Sequence, residues 1–134
     1  MKFLLAQINP VVGDLEGNAK KILYAASKAS SSSADLVLTP ELSLWGYPAN
    51  DLLLKKNLIK NQYQILDQLA SDIKNKYGDL SITVGMAEII NDSFFPNLYN
   101  SIALLERGEW KIIARKIILP VSYTHLTLPT MRTV

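Results

Sequence analysis

The stretch that decides the fold is Ile59–Tyr77, IKNQYQILDQLASDIKNKY, followed by Gly78-Asp79 and then Leu80–Ala87, LSITVGMA. Within it Ile59, Tyr63, Leu66, Ala70, Ile73 and Tyr77 step by 4, 3, 4, 3 and 4 residues. That spacing is the apolar stripe of a 3.6-residue helix, and Lys60, Asn61, Asp67, Lys74 and Asn75 fall off it. Gly78 ends the helix, and the β-branched run after it reads as a strand.

Working outward, the same alternation recurs upstream. Lys2–Ile8 is a short apolar run that stops at Asn9-Pro10, as a buried strand entering a turn does. Gly13-Asp14 and Gly17-Asn18 punctuate a loop, and Asn18 suits the N-cap of a helix from Ala19 to about Ser31, with Ile22, Leu23, Ala26 and Ala29 on one stripe. The serines from Ser30 to Ser33 end it. Leu36–Leu38 is a second buried strand, too continuously apolar to face water on one side. Downstream, Asn91-Asp92-Ser93 reads as a loop and Leu98–Leu105 alternates weakly. Glu106-Arg107-Gly108-Glu109 then forms a hairpin turn into Trp110–Leu119. The order β, α, β, α, β, hairpin predicts a mixed α/β layer fold with helix crossovers.

Composition narrows the function. The 134 residues suit one domain, and 49% hydrophobic with 19% charged excludes general disorder. Fourteen Lys and Arg against 12 Asp and Glu give +2, too little for a nucleic-acid footprint. The absence of cysteine excludes disulfides, cysteine–zinc sites and a thiol nucleophile within these residues; a single histidine, His125, excludes a His-rich metal cage. No signal peptide and no apolar run long enough to span a bilayer is found, so a cytoplasmic protein without membrane partners is expected.

Two side chains could carry chemistry. Thr39-Pro40-Glu41 follows the strand Leu36–Leu38. As a helix start, Thr39 would cap, Pro40 would take the first position and Glu41 would complement the dipole. As a site, Glu41 would be a carboxylate just past the carboxyl end of an inner strand, where open α/β sheets hold ligands. The residues alone leave both open. In Trp110–Leu119, strict alternation puts Trp110, Ile112, Ala114, Lys116 and Ile118 on one face, with Lys116 its only charge. A lysine between Ala114 and Ile118 either snorkels or is met by a carboxylate. No glycine-rich phosphate loop and no Gly-x-Ser-x-Gly elbow is present.

Several segments, in this order, resemble the nitrilase superfamily of carbon–nitrogen hydrolases, and within it the N-terminal glutaminase domains of glutamine-dependent NAD+ synthetases. They are Ala6–Pro10 with Val12–Asn18, Ala34–Val37, Thr39–Leu42 with Gly46-Tyr47-Pro48, Asp51–Leu54, Leu98–Ser101, and Arg115-Lys116 before Leu119-Pro120. Pro-Glu-Leu and Lys-x-x-Leu-Pro mark the superfamily; Gly-Tyr-Pro followed by Asp-Leu-Leu narrows it, although Ala49-Asn50 stands where that type commonly has Pro-Glu. The resemblance implies the N-terminal part of an αββα sandwich and a Glu–Lys–Cys triad. Glu41 is then the general base, Lys116 the stabiliser of the oxyanion, and Tyr47 a residue lining the glutamine pocket. It implies no cofactor in this chain, ATP for a separate synthetase domain, and a homo-oligomer for the intact protein. A stand-alone amidase of small linear amides and a non-catalytic α/β module are the alternatives.

The triad cysteine and the family's second glutamate, both expected after Lys-x-x-Leu-Pro, are absent. From Val121 the composition shifts, with four threonines and no acidic residue in 14 positions. That tail, which includes Ser122 and His125, resembles a translated sequencing-library adapter. The expected organisation is a truncated hydrolase domain over 1–120 and a non-native read-through tail over 121–134. Such a chain is expected to be inactive.

Overall fold

The computed structural model describes residues 1–46, 56–90 and 97–118, with 56, 90, 97, 117 and 118 described in backbone only. The elements are β1 (Phe3–Leu5), α1 (Leu15–Ser31), β2 (Leu36–Leu38), α2 (Lys56–Tyr77), β3 (Ser81–Ile90), β4 (Asn97–Glu106) and β5 (Glu109–Ile118). They build a five-stranded sheet in the order β1-β2-β3-β4-β5, parallel through β3 and antiparallel after it. The mixed α/β fold expected from the sequence is present.

Both crossovers step the same way along the sheet, and crossovers of one hand then put their helices on one face. Accordingly α1 and α2 pack on each other, and Ile22, Ala26, Leu66, Ala70 and Ile73 meet Val37, Ile82, Val84, Met86, Ala103 and Leu105 in the core. The helical stripe predicted over Ile59–Tyr77 is the face that packs there. The opposite face of the sheet carries Phe3, Leu5, Ile102 and Ile113, all exposed.

Two local expectations are corrected, and one open alternative is decided. The first helix starts at Leu15, because Asp14 is its cap and accepts from the Gly17 N–H at 3.0 Å. Asn18 lies inside the helix, fully buried, where it ties the preceding loop to the segment after β2. Its Oδ1 accepts from Val11 N and its Nδ2 donates to Val11 O and Leu44 O, each at 2.8 Å. The first strand is three residues long, since β2 offers partners only as far as Leu38 before Pro40, which has no N–H to give. Thr39-Pro40-Glu41 does not begin a helix. It enters a turn over residues 41–45 in which Leu42 adopts a left-handed φ of 49° and its carbonyl accepts from Trp45 N and Gly46 N at 2.9 Å.

That turn solves a pairing problem. β3 runs ten residues but pairs β2 only over Ser81–Thr83. Further along the same strand, backbone groups would be buried without partners. Gly85 N donates to Ser43 Oγ at 2.9 Å and Gly85 O accepts from Leu44 N at 3.1 Å. At Ala87 the side-chain amide of buried Gln62 from α2 takes over, accepting from Ala87 N at 2.9 Å and donating to Ala87 O at 2.7 Å. Gln62 also accepts from Trp45 Nε1 at 2.5 Å, which fixes Trp45 in the core.

Candidate active site

The turn that stands in for a strand along β3 also presents Glu41. Thr39 Oγ1 donates to Thr83 O at 2.6 Å and shares a hydrogen bond with Ser43 Oγ at 2.8 Å, so both ends of the turn are fastened to β3. The turn rests directly on Gly85. A β-carbon there would lie 2.7 Å from both Pro40 O and Ser43 N, and only glycine permits that approach. Leu42, Ser43, Leu44 and Trp45 are buried while Glu41 is exposed. Its carboxylate Oε1 accepts a hydrogen bond from Asn100 Nδ2 of β4.

Lys116 reaches the same place by an irregularity in β5. Ile102 pairs with Ala114, but Ala103 pairs with Ile112, so Ile113 is an extra residue in the ladder, a β-bulge. The bulge reverses the alternation. Trp110 and Ile112 face the helices, where the Trp110 ring stacks on Tyr63 at 5.9 Å and its Nε1 donates to Asp67 at 2.7 Å. Beyond Ile113 the parity changes, and Ala114 and Lys116 lie on the other face beside Ile102 and Asn100. The single-face assignment expected from strict alternation is therefore wrong. A one-residue insertion turns every later side chain over.

Glu41 and Lys116 consequently border one cavity of about 270 Å³, lined also by Thr39, Pro40, Gly85, Asn100, Ile102, Ala114 and Arg115. Asn100 lies between the two, bonded to the carboxylate and opposite Lys116 in the ladder. The described ion pair within 4.0 Å is elsewhere, between Arg115 and Glu88 on the helix side. A carboxylate, an amine and a primary amide around one open pocket can move a proton and stabilise a developing oxyanion. Tyr47, expected in the substrate pocket, lies outside the described residues, as do Leu119-Pro120 and the tail. No cluster of three metal-ligating side chains occurs among the described residues, and no described helix is long and apolar enough to cross a membrane.

The carbon–nitrogen hydrolase family profile matches residues 5–133. The chain belongs to the carbon–nitrogen hydrolase family. Within the family it is similar to glutamine-dependent NAD+ synthetases: 38% identical to that of Thermotoga maritima over 120 residues, 90% of this chain and 20% of the relative. Against that of Synechocystis it is 39% identical over 116 residues, 87% of this chain and 21% of the relative. The chain thus spans about a fifth of the length of these curated relatives. Among solved structures, the Acinetobacter baumannii glutamine-dependent NAD+ synthetase, crystallised with ADP, superposes with a TM-score of 0.70 at 32% identity. That match covers 86% of this chain and 20% of the synthetase. An amidase from Nesterenkonia sp. bound to butyramide shares the fold, with a TM-score of 0.68 at 22% identity over 89% of this chain and 44% of its own.

Reading the sequence missed Asn100 as a partner of Glu41, and it missed the cluster formed by Glu88, Ser101 and Arg115. Glu88 Oε1 accepts from Ser101 Oγ at 2.6 Å and Arg115 Nε at 2.7 Å, and Oε2 accepts from Arg115 Nη2 at 3.2 Å. Burial opposes the charge on Glu88, but the hydrogen bonds from Arg115 and Ser101 and the Arg115 charge outweigh it and hold the carboxyl below the usual carboxylate range. The same hydrogen bond and charge push the Arg115 guanidinium higher still. Burial, with the Glu88 charge nearby, raises the Tyr63 phenol. The available signal was an acid at the end of the apolar run Leu80–Ala87, where a lone carboxylate requires a cation.

Proposed function

We propose that this chain carries the base and cation of a glutamine amidohydrolase domain whose ammonia serves NAD+ synthesis. The observation that carries the reading is that Glu41 and Lys116, brought from separate elements, border one cavity. In this reading a cysteine supplied by sequence beyond Lys-x-x-Leu-Pro attacks the side-chain amide carbon of glutamine, and Glu41 takes the thiol proton. Lys116 stabilises the tetrahedral oxyanion, the proton passes to the leaving nitrogen, and ammonia departs from a thioester. Water, deprotonated by Glu41, then releases glutamate and restores the thiol. Tyr47 lines the glutamine pocket. A separate domain would use ATP to amidate deamido-NAD+ with the ammonia. In this reading the intact protein is a cytoplasmic homo-oligomer.

Without a thiol the chain of 134 residues is inactive in this reading. The same reading takes residues 121–134 as read-through of a longer frame, against a family match that runs to residue 133. Resequencing the locus from intact genomic DNA checks the second point: a frame running on into a cysteine supports it, and one encoding the same tail contradicts it. In the gene product so recovered, Glu41→Gln abolishes ammonia release from glutamine while synthesis from added ammonia persists. Unchanged glutamine hydrolysis by that variant would refute the role of Glu41.

A further inference from the structure

We infer that Glu88 and Arg115 are positioning residues for Lys116, their ion pair forcing the bulge in β5 that presents the amine to Glu41. The inference rests on the reading of Glu41 and Lys116 as one site, and it concerns what makes them meet. β5 is fastened to the helix side at two points. Trp110 is held there by Tyr63 and Asp67, and Arg115 by Glu88. The two anchors are five residues apart, an odd number, so in a regular strand they would point to opposite faces. Both can lie on one face only if one residue between them is left out of the ladder, and Ile113 is that residue.

Among the described residues β5 pairs with β4 alone, and the side chains that one of its faces packs on the helix side fix its register. Arg115 meets Glu88 through two hydrogen bonds, and Ser101, the ladder partner of Arg115, holds the same carboxylate oxygen. The clamp therefore spans β3, β4 and β5. Because neighbours in a strand point oppositely, turning Arg115 toward Glu88 turns Lys116 toward Asn100 and Glu41. With that anchor released, the regular continuation from Trp110 through Ile112 and Ala114 carries Lys116 to the helix side, away from the cavity.

The test is zero-length carbodiimide coupling of Glu41 to Lys116 in the chain itself, read by mass spectrometry of the joined peptides, with tryptophan fluorescence of the same samples. The starting protein couples. Glu88→Gln and Arg115→Met each lower the yield about a hundredfold, the order expected when two reacting groups are moved out of alignment, with tryptophan emission unchanged. Arg115→Lys, which keeps the charge, retains coupling. Unchanged coupling in both disruptive variants overturns the inference, and so does a loss that appears only together with a change of tryptophan emission, which marks a merely structural pair. Absence of coupling in the starting protein instead removes the shared site itself and the proposed function with it.

Discussion

The two halves of the candidate site are held in different ways. Glu41 sits on a turn fastened to an inner strand by close approach and buried hydroxyls: Gly85 lets the chain approach, and the Ser43 and Thr39 side chains bond β3. Lys116 sits on β5, which among the described residues pairs with β4 alone, and side chains fix the face it occupies. Damage to the glutamate half should therefore unfold the protein, whereas damage to the lysine half should misdirect one side chain. The first arrangement couples function to stability; the second separates them.

Four substitutions can break that contrast. Gly85→Val should be the most damaging, because its side chain would collide with Pro40 and Ser43; a loss of about 3 kcal/mol in urea unfolding is expected. Ser43→Ala removes the acceptor from buried Gly85 N–H and should cost roughly 1–2 kcal/mol in the same assay. Glu88→Gln should act through pH. The folded carboxyl titrates below its ordinary value of 4.5, so its contribution is full above that value and is lost as pH falls through the folded one. Unfolding midpoints should fall with acid in the parent over this window and be flatter in the variant. Lys116→Met should change stability by no more than about 0.5 kcal/mol, as exposed substitutions do, while removing glutamine hydrolysis from the gene product. A lysine variant as destabilised as the Gly85 variant would erase the distinction.

Much of the fold was legible because it rests on periodicity. The stripe from Ile59 to Tyr77 is the face of α2 that packs in the core, and Leu36–Leu38 and the hairpin at Arg107-Gly108 are found where the pattern puts them. What was not legible depends on contacts distant in sequence. Asn18 reads as a cap and is a buried tie to Leu44, and Gln62, which the helical stripe passes over, serves as a strand's missing partner. The bulge at Ile113 is invisible to alternation, since Ile112 and Ile113 are chemically the same and only the anchors on either side tell them apart. Glu41 and Lys116 could be nominated from motif and strand position; their meeting depends on that bulge.

The site exists only if Lys116 lies on the Asn100 side of the sheet, and nuclear Overhauser contacts from its side chain read this directly. Cross-peaks from the Lys116 β-protons to the Asn100 side chain, with none to the Tyr63 ring, are predicted, since opposed residues on one face hold their β-carbons about 5 Å apart. Contacts to Tyr63 without contacts to Asn100 would place Lys116 on the helix side and leave Glu41 without its amine.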